Sequence, residues 1–206
     1  MKKSGALSSA LVLMGLLMSP SLVQATTLVH ANLDRLVQEA RRIVVARVTA
    51  VESKRDEHGL PATYVTLEVG SRLKGEIEDK ATVKIFGLQN PLTDGLVHRI
   101  PGTPFYRPGQ ELVLFLIADS PLGFTNTVGL AQGAFYVLDS PEGKIVVNGL
   151  GNRGLIRGMT QDPKYQNTPL ASALKALEGE QRQGIRFKDF LSLVRSVVAI
   201  HGSGAK

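Results

Sequence analysis

The sequence predicts a mainly β protein: a small antiparallel barrel or a strongly bent sheet, with an N-terminal helix and a C-terminal amphipathic helix. Short apolar runs recur along the chain, turn residues separate them about every ten residues, and too few helices intervene for parallel crossovers. The chain has 206 residues, of which 43% are hydrophobic and 20% charged, which suffices for one hydrophobic core. Because it contains no Cys, disulfides, Cys-ligated metal sites and thiol nucleophiles are excluded.

The first 25 residues have the features of a cleavable signal peptide. Met1-Lys2-Lys3 supplies positive charge, Ala6–Leu17 is mostly apolar, and Pro20 precedes a suitable cleavage sequence, Val23-Gln24-Ala25. An uncleaved anchor helix is less favoured, because the apolar run is shorter than the ~20 residues that span a bilayer. We therefore expect cleavage after Ala25 and a periplasmic or secreted protein without a transmembrane anchor. The rest of the chain shows no linker between two cores, so we expect a single domain over residues 26–200, followed by a frayed tail over residues 201–206.

The charge of the chain is moderately basic, with 24 Lys and Arg against 18 Asp and Glu and a formal net charge of +6. Beyond the signal peptide the adjacent basic pairs are Arg41-Arg42 and Lys54-Arg55, and acidic residues lie close to both. A phosphate-binding surface needs a patch of one sign. We therefore expect a solvated surface of mixed charge and no nucleic-acid partner.

Helical periodicity is clearest near the two ends of the predicted domain. Residues 31–42 place Leu33, Leu36, Val37 and Ala40 on one face, after Asn32 as a possible N-cap. A short helix is predicted over residues 170–178. The last helix has one apolar face, formed by Phe187, Phe190, Leu191, Val194 and Val198. We expect these helices to cover the ends of the barrel.

The predicted strands are β-branched, alternating or continuously apolar runs. They cover residues 43–51, 64–73, 81–86, 111–117, 128–138 and 144–147. A charged segment with Gly59 and Pro61 predicts a loop over residues 53–61. Gly129 and Gly133 predict a bend or bulge in the fifth run.

Residues 87–110 form a long segment with four Pro and four Gly, which compact domains rarely contain without a functional reason. Loops on a rigid scaffold often carry binding sites. We therefore predict that this loop, or alternatively an open face of the barrel, binds another exported or envelope protein or a glycan. The apolar side chains of the loop either pack back on the barrel or form an exposed patch that the partner covers. The candidate binding residues of the loop are Leu92, Asp94, Leu96, His98, Arg99, Phe105 and Tyr106.

Four segments share a strand rhythm with a known family: RIVVARVTAVES, TYVTLEVGSRLKGE, ATVKIFG and PFYRPGQELVLFL. This rhythm resembles exported bacterial proteins of unassigned function and the netrin-like, or tissue-inhibitor-like, modules, over about residues 43–117. The resemblance implies an OB-type barrel. Those modules carry cysteines, and one inhibitor class uses an N-terminal cysteine against a catalytic zinc. This chain has none, so that inhibitory residue is not carried over.

Other patterns that could support catalysis are incomplete. Residues 149–154 match G-x-G-x-x-G, but no helix follows, so a β-turn is predicted. His30, His58, His98 and His201 form no metal-binding motif, and the acids are dispersed. We predict no catalytic residues, no cofactor and no metal.

Three functions remain open. The favoured one is a non-catalytic exported binding or accessory module. The others are an accessory or inhibitor protein of a secreted protease, and an exported hydrolase whose site is assembled in space, with His98 as one member. Fold alone does not decide between them.

Overall fold

The computed structural model describes residues 29–177 and 184–203, and these residues form one eight-stranded sheet. In chain order the strands are β1 Arg42–Arg55, β2 Pro61–Lys74, β3 Lys80–Phe86, β4 Glu111–Leu116, β5 Phe124–Thr125, β6 Ala134–Ser140, β7 Gly143–Asn148 and β8 Ile185–Arg186. Their order across the sheet is β5-β3-β2-β1-β4-β6-β7-β8, so β5 and β8 lie at the two edges and the described sheet is open. All neighbours are antiparallel except β3 and β5.

The described helices are α1 Leu33–Glu39, α2 Pro163–Gln166, α3 Leu170–Leu177 and α4 Phe187–Ser203, with a 3₁₀ helix at Leu130–Gln132. Asn32 caps α1, because its side chain accepts a hydrogen bond from the backbone N–H of Arg35. The mainly β class, the N-terminal helix and the C-terminal helix are therefore confirmed.

The two longest strands, β1 and β2, pair along their whole length. Their register shifts between Ile43 and Val44, between Val45 and Ala46, and between Val48 and Ala50. Such irregularities increase the twist of a strand and bend it. The hairpin turn is shorter than predicted, because both strands extend into the expected loop and leave Asp56–Leu60 between them.

Apolar side chains fill a separate core on each face of the sheet. The helix-side core contains Ile43 and Val45 of β1, Val113 and Phe115 of β4, and buried residues of α1 and α4. The loop-side core contains the alternate residues of the same strands, among them Val44, Ala46, Val48, Leu112 and Leu114. The continuous apolar run of β4 is thus explained by burial on both faces. The helices pack across one face, and not over the ends of a barrel as predicted.

Several predicted element boundaries differ from those in the structure. Strand β6 begins at Ala134, because the 3₁₀ helix occupies the start of the predicted run. Helix α4 continues to Ser203, so His201 belongs to the helix and not to the predicted tail. The signal peptide, its cleavage site and residues 204–206 lie outside the described residues. None of the described helices has the length and hydropathy needed to cross a membrane.

Candidate binding surface of the long loop

The segment between β3 and β4 folds back on itself: residues 88–92 form a first limb, and residues 96–98 run back beside it as the second limb. The N–H of Leu88 donates to the carbonyl of His98 at 2.6 Å, and the N–H of Leu92 donates to Leu96 at 3.0 Å. Gly87 permits this close approach: its φ is 98°, and a Cβ there would lie 2.9 Å from the His98 carbonyl oxygen. At the tip, the Asp94 carboxylate accepts the N–H of Leu96 at 3.0 Å, which closes a compact turn.

The first limb is fixed to strands β1 and β2 by side-chain hydrogen bonds. The hydroxyl of Thr63 donates to the carbonyl of Gly87 at 2.8 Å and accepts the N–H of Gln89 at 2.9 Å. The N–H of Asn90 donates to the hydroxyl of Ser53 at 3.1 Å. Asp94 forms an exposed ion pair with Arg55 at 3.3 Å. The loop therefore has a defined path over the sheet.

Gln89 joins the first limb to residues 101–110, the last part of the loop before β4. Its side-chain amide donates to the carbonyl of Tyr106 and accepts the N–H of the same residue, both at 2.7 Å. The Tyr106 side chain is only 2% exposed and lies in the loop-side core. Burial raises the pKa of its hydroxyl, so the side chain stays neutral. Tyr106, predicted as a binding residue, is therefore part of the loop-side core in this structure.

Residues 101–110, the last part of the loop, are held by the 3₁₀ helix and by β6. The N–H of Ala131 donates to the carbonyl of Gly102 at 2.9 Å. Nearby, the Tyr136 hydroxyl accepts the N–H of Phe105 at 3.3 Å. Because both halves are anchored, the loop covers the loop-side core and presents its outer side in a fixed conformation.

The outward side chains define a surface, here called the loop surface, that consists of Phe86, Val97, His98, Arg99, Phe105 and Arg107. Val97 is 66% exposed and Phe86 36% exposed. The rings of Phe86 and His98 meet edge to face at 5.5 Å. The guanidinium carbons of Arg99 and Arg107 each lie 5.2 Å from the ring centroid of Phe105. Apolar and cationic groups are thus held side by side.

The structure separates the seven predicted residues into three groups. Asp94, His98 and Arg99 are exposed, Leu92, Leu96 and Phe105 are half-buried, and Tyr106 is buried. Phe86, Val97 and Arg107 of the loop surface were missed as site residues. Phe86 could have been found, because the alternation in β3 buries Val83 and Ile85 and therefore turns Phe86 outward.

A small cleft lies beneath the loop surface, lined in part by Phe86, Arg99, Thr103 and Tyr106. Its volume is about 20 Å³, which is room for roughly one water molecule. The loop therefore offers a partner an outer surface and not a ligand pocket.

A cluster of titratable groups lies elsewhere, where α1, α2 and α4 meet. The Asp34 carboxylate accepts hydrogen bonds from Lys164 at 2.8 Å and from the Tyr165 hydroxyl, and His201 Nε2 lies 2.7 Å from it. Burial opposes the charge on Asp34, but these hydrogen bonds outweigh it and lower the pKa of the carboxyl. Burial and the bond to Asp34 raise the pKa of Tyr165. All three neighbours converge on one carboxylate, so the cluster ties the helices together.

The glycine-rich segment 149–154 forms a turn supported by two buried asparagines. The Asn152 side chain accepts the N–H of Asn148 at 2.9 Å and donates to the carbonyl of Val146 at 2.9 Å. Asn152 has a φ of 58° and no solvent exposure. These contacts agree with the predicted turn. Within the described residues, no group of three or more His, Asp or Glu is placed to hold a metal ion.

Comparisons with known proteins add no relative: no protein-family model matches the chain, and no curated protein or solved structure matches it. The resemblance to netrin-like modules therefore stays a prediction.

Proposed function

We propose that the chain is an exported, non-catalytic binding or accessory module that recognises another exported or envelope protein through the loop surface. The observation that carries this proposal is the anchored loop, whose inner side contributes to a core while its outer side exposes Val97, directly before His98 and Arg99 in the sequence, and holds these two side chains against aromatic rings. Interfaces are enriched in aromatic residues and Arg, and a fixed loop loses little conformational entropy on binding.

The exposed side chains favour a protein over a glycan as the partner. Val97 offers an aliphatic contact, which suits the apolar side chains of a protein. Both arginines lie over the ring of Phe105, and His98 and Phe124 pack edge to face with Phe86. These aromatic rings therefore already have partners and are less available to a glycan. A secreted protease would be one such protein partner, in line with the accessory or inhibitor alternative.

Site-specific photo-cross-linking tests the proposal. A benzophenone amino acid replaces Val97 in the full chain. The variant is expressed in the organism from which the protein comes, so that its natural partner is present. We expect its exported form to begin at Thr26. Val29 provides a matched control, since it is 64% exposed but lies at the start of the described chain. We expect a discrete cross-linked protein from position 97 and none from position 29.

A point substitution then separates binding from folding. Val97→Asp should abolish co-purification of that cross-linked protein while the melting temperature changes little, because exposed substitutions usually alter stability by within about 0.5 kcal/mol. Val29→Asp should leave co-purification intact. Equal cross-linking from the two positions, or full capture by the Val97→Asp variant, would show that the binding face lies elsewhere.

A further inference from the structure

We propose that Arg99 and Arg107 form an anion-recognition pair, which binds carboxylates in an acidic, extended segment of the partner protein. This inference rests on the proposed function, because it assigns a chemistry to the partner of the loop surface.

Both guanidinium carbons lie 5.2 Å from the same ring centroid, that of Phe105, so they are at most twice that distance apart. Arg99 follows His98 in the loop, whereas Arg107 lies at the turn into β4, where its backbone N–H donates to the side-chain oxygen of Gln110 at 2.8 Å. A contact with an aromatic face restricts a guanidinium and leaves its planar fork of donors free for a ligand.

Arg99 and Arg107 lack a counterion within the described part of the chain. Each lysine there that lies over a ring also pairs with a carboxylate at 2.8 Å: Lys54 with Glu52, Lys84 with Asp56, and Lys164 with Asp34. No described carboxylate lies within ion-pair distance of Arg99 or Arg107.

The surrounding acids are already paired. Asp94 is the one acidic residue in the sequence from 87 to 110, and it pairs with Arg55. Glu111, which begins β4, pairs with Lys144 at 2.5 Å. The loop surface therefore carries positive charge that its neighbours do not neutralise, and a partner would supply the complementary carboxylates.

Guanidinium groups recognise carboxylates through two parallel N–H···O bonds. In an extended chain, residues i and i+2 point the same way and lie about 7 Å apart. Two such acids can therefore reach the two arginines together.

The test uses a synthetic peptide with glutamates at alternating positions and a single Trp. Because the protein has no Trp, the fluorescence anisotropy of the peptide reports binding without background. We expect saturable binding that weakens with added salt. The Arg99→Gln/Arg107→Gln variant should bind at least tenfold more weakly. Lys188→Gln/Arg195→Gln removes the same charge from the exposed side of α4 and should change the affinity less than twofold.

A further variant tests whether the guanidinium geometry matters beyond its charge, and two competitors test whether the surface prefers a polypeptide to a polysaccharide. Arg99→Lys/Arg107→Lys keeps the charge but loses the planar fork, and should also bind more weakly than the wild type. Poly-L-glutamate should compete better than polygalacturonate at equal carboxylate concentration. Absence of peptide binding, equal weakening in the two double glutamine variants, or stronger competition by polygalacturonate would overturn the inference.

Cross-linking at position 97 distinguishes this inference from the proposed function. If the cross-linked protein persists in the Arg99→Gln/Arg107→Gln variant, the loop surface binds a partner without this anion pair, and only the inference fails. If the wild-type surface gives no cross-linked protein at all, the proposed function itself fails.

Discussion

Truncation of Phe190 is the most direct test of how α4 packs on the sheet. Phe190 has no solvent exposure and lies in the helix-side core. Its ring centroid is 4.6 Å from that of Phe135 on β6 and 6.4 Å from that of Phe115 on β4. Phe190→Ala would therefore remove one side of a three-ring cluster that joins the last helix to two strands.

The expected loss follows from burial and from the ring contacts. Truncation of a buried Phe to Ala costs about 3–5 kcal/mol, part of it from the cavity that remains. Aromatic pairs add about 0.5–1.5 kcal/mol beyond burial, which places Phe190 in the upper part of that range. For a domain of this size, each kcal/mol lowers the melting temperature by about 2–4 °C, so we expect a decrease of roughly 8–20 °C.

Thermal and urea unfolding, followed by far-ultraviolet circular dichroism, measure this loss. Lys188→Ala is the control on the same helix, because its side chain is exposed and its loss should change the melting temperature little. If Phe190→Ala lowers the melting temperature no more than Lys188→Ala does, α4 does not stabilise the sheet and the described packing is wrong.

Two further predictions concern a charged cluster and a backbone contact. Asp34→Asn should cost about 1 kcal/mol at pH 7 after allowance for solvent screening. Because the pKa of Asp34 is lower in the folded state, its contribution is present above its ordinary pKa of about 4 and is lost as the pH falls through the lowered folded-state pKa, so urea unfolding should show wild type and variant converging as the pH is lowered. Gly133→Ala should cost about 1–3 kcal/mol in the same assay, since its Cβ would lie 2.4 Å from the Val128 carbonyl oxygen; Gly70→Ala, whose Cβ has its nearest contact at 3.8 Å, should not.

The elements that the sequence predicted correctly are those with a local physical signal. Asn32 precedes a regular apolar spacing and does cap α1. The alternating and continuous apolar runs became β1 to β4, within a few residues at each end. Strand β5 gave no such signal, because Phe124 and Thr125 form a strand only by pairing with Lys84 and Ile85 far away in sequence. Whether the sheet closes depends on the same kind of long-range pairing.

Burial within the loop was not predictable for a similar reason. Phe105 and Tyr106 are adjacent aromatic residues, yet one faces the arginines and the other fills the loop-side core. The difference depends on Gln89, which holds the backbone of Tyr106 through two hydrogen bonds from 17 residues away. Local sequence identified the loop as a candidate binding element, but only the fold determines which side chains a partner can reach.

This division of the loop decides how its function can be tested. Removing the segment would uncover the loop-side core, because Tyr106 and the bonds to Thr63 belong to the same chain segment as the exposed side chains. A loss of binding after such a deletion would not distinguish a missing contact from a damaged fold. Val97, Arg99 and Arg107 are exposed, so changes at these positions alter what a partner meets while the inner side stays packed. The anchoring that makes the loop a credible binding surface is therefore also the reason to test it one side chain at a time.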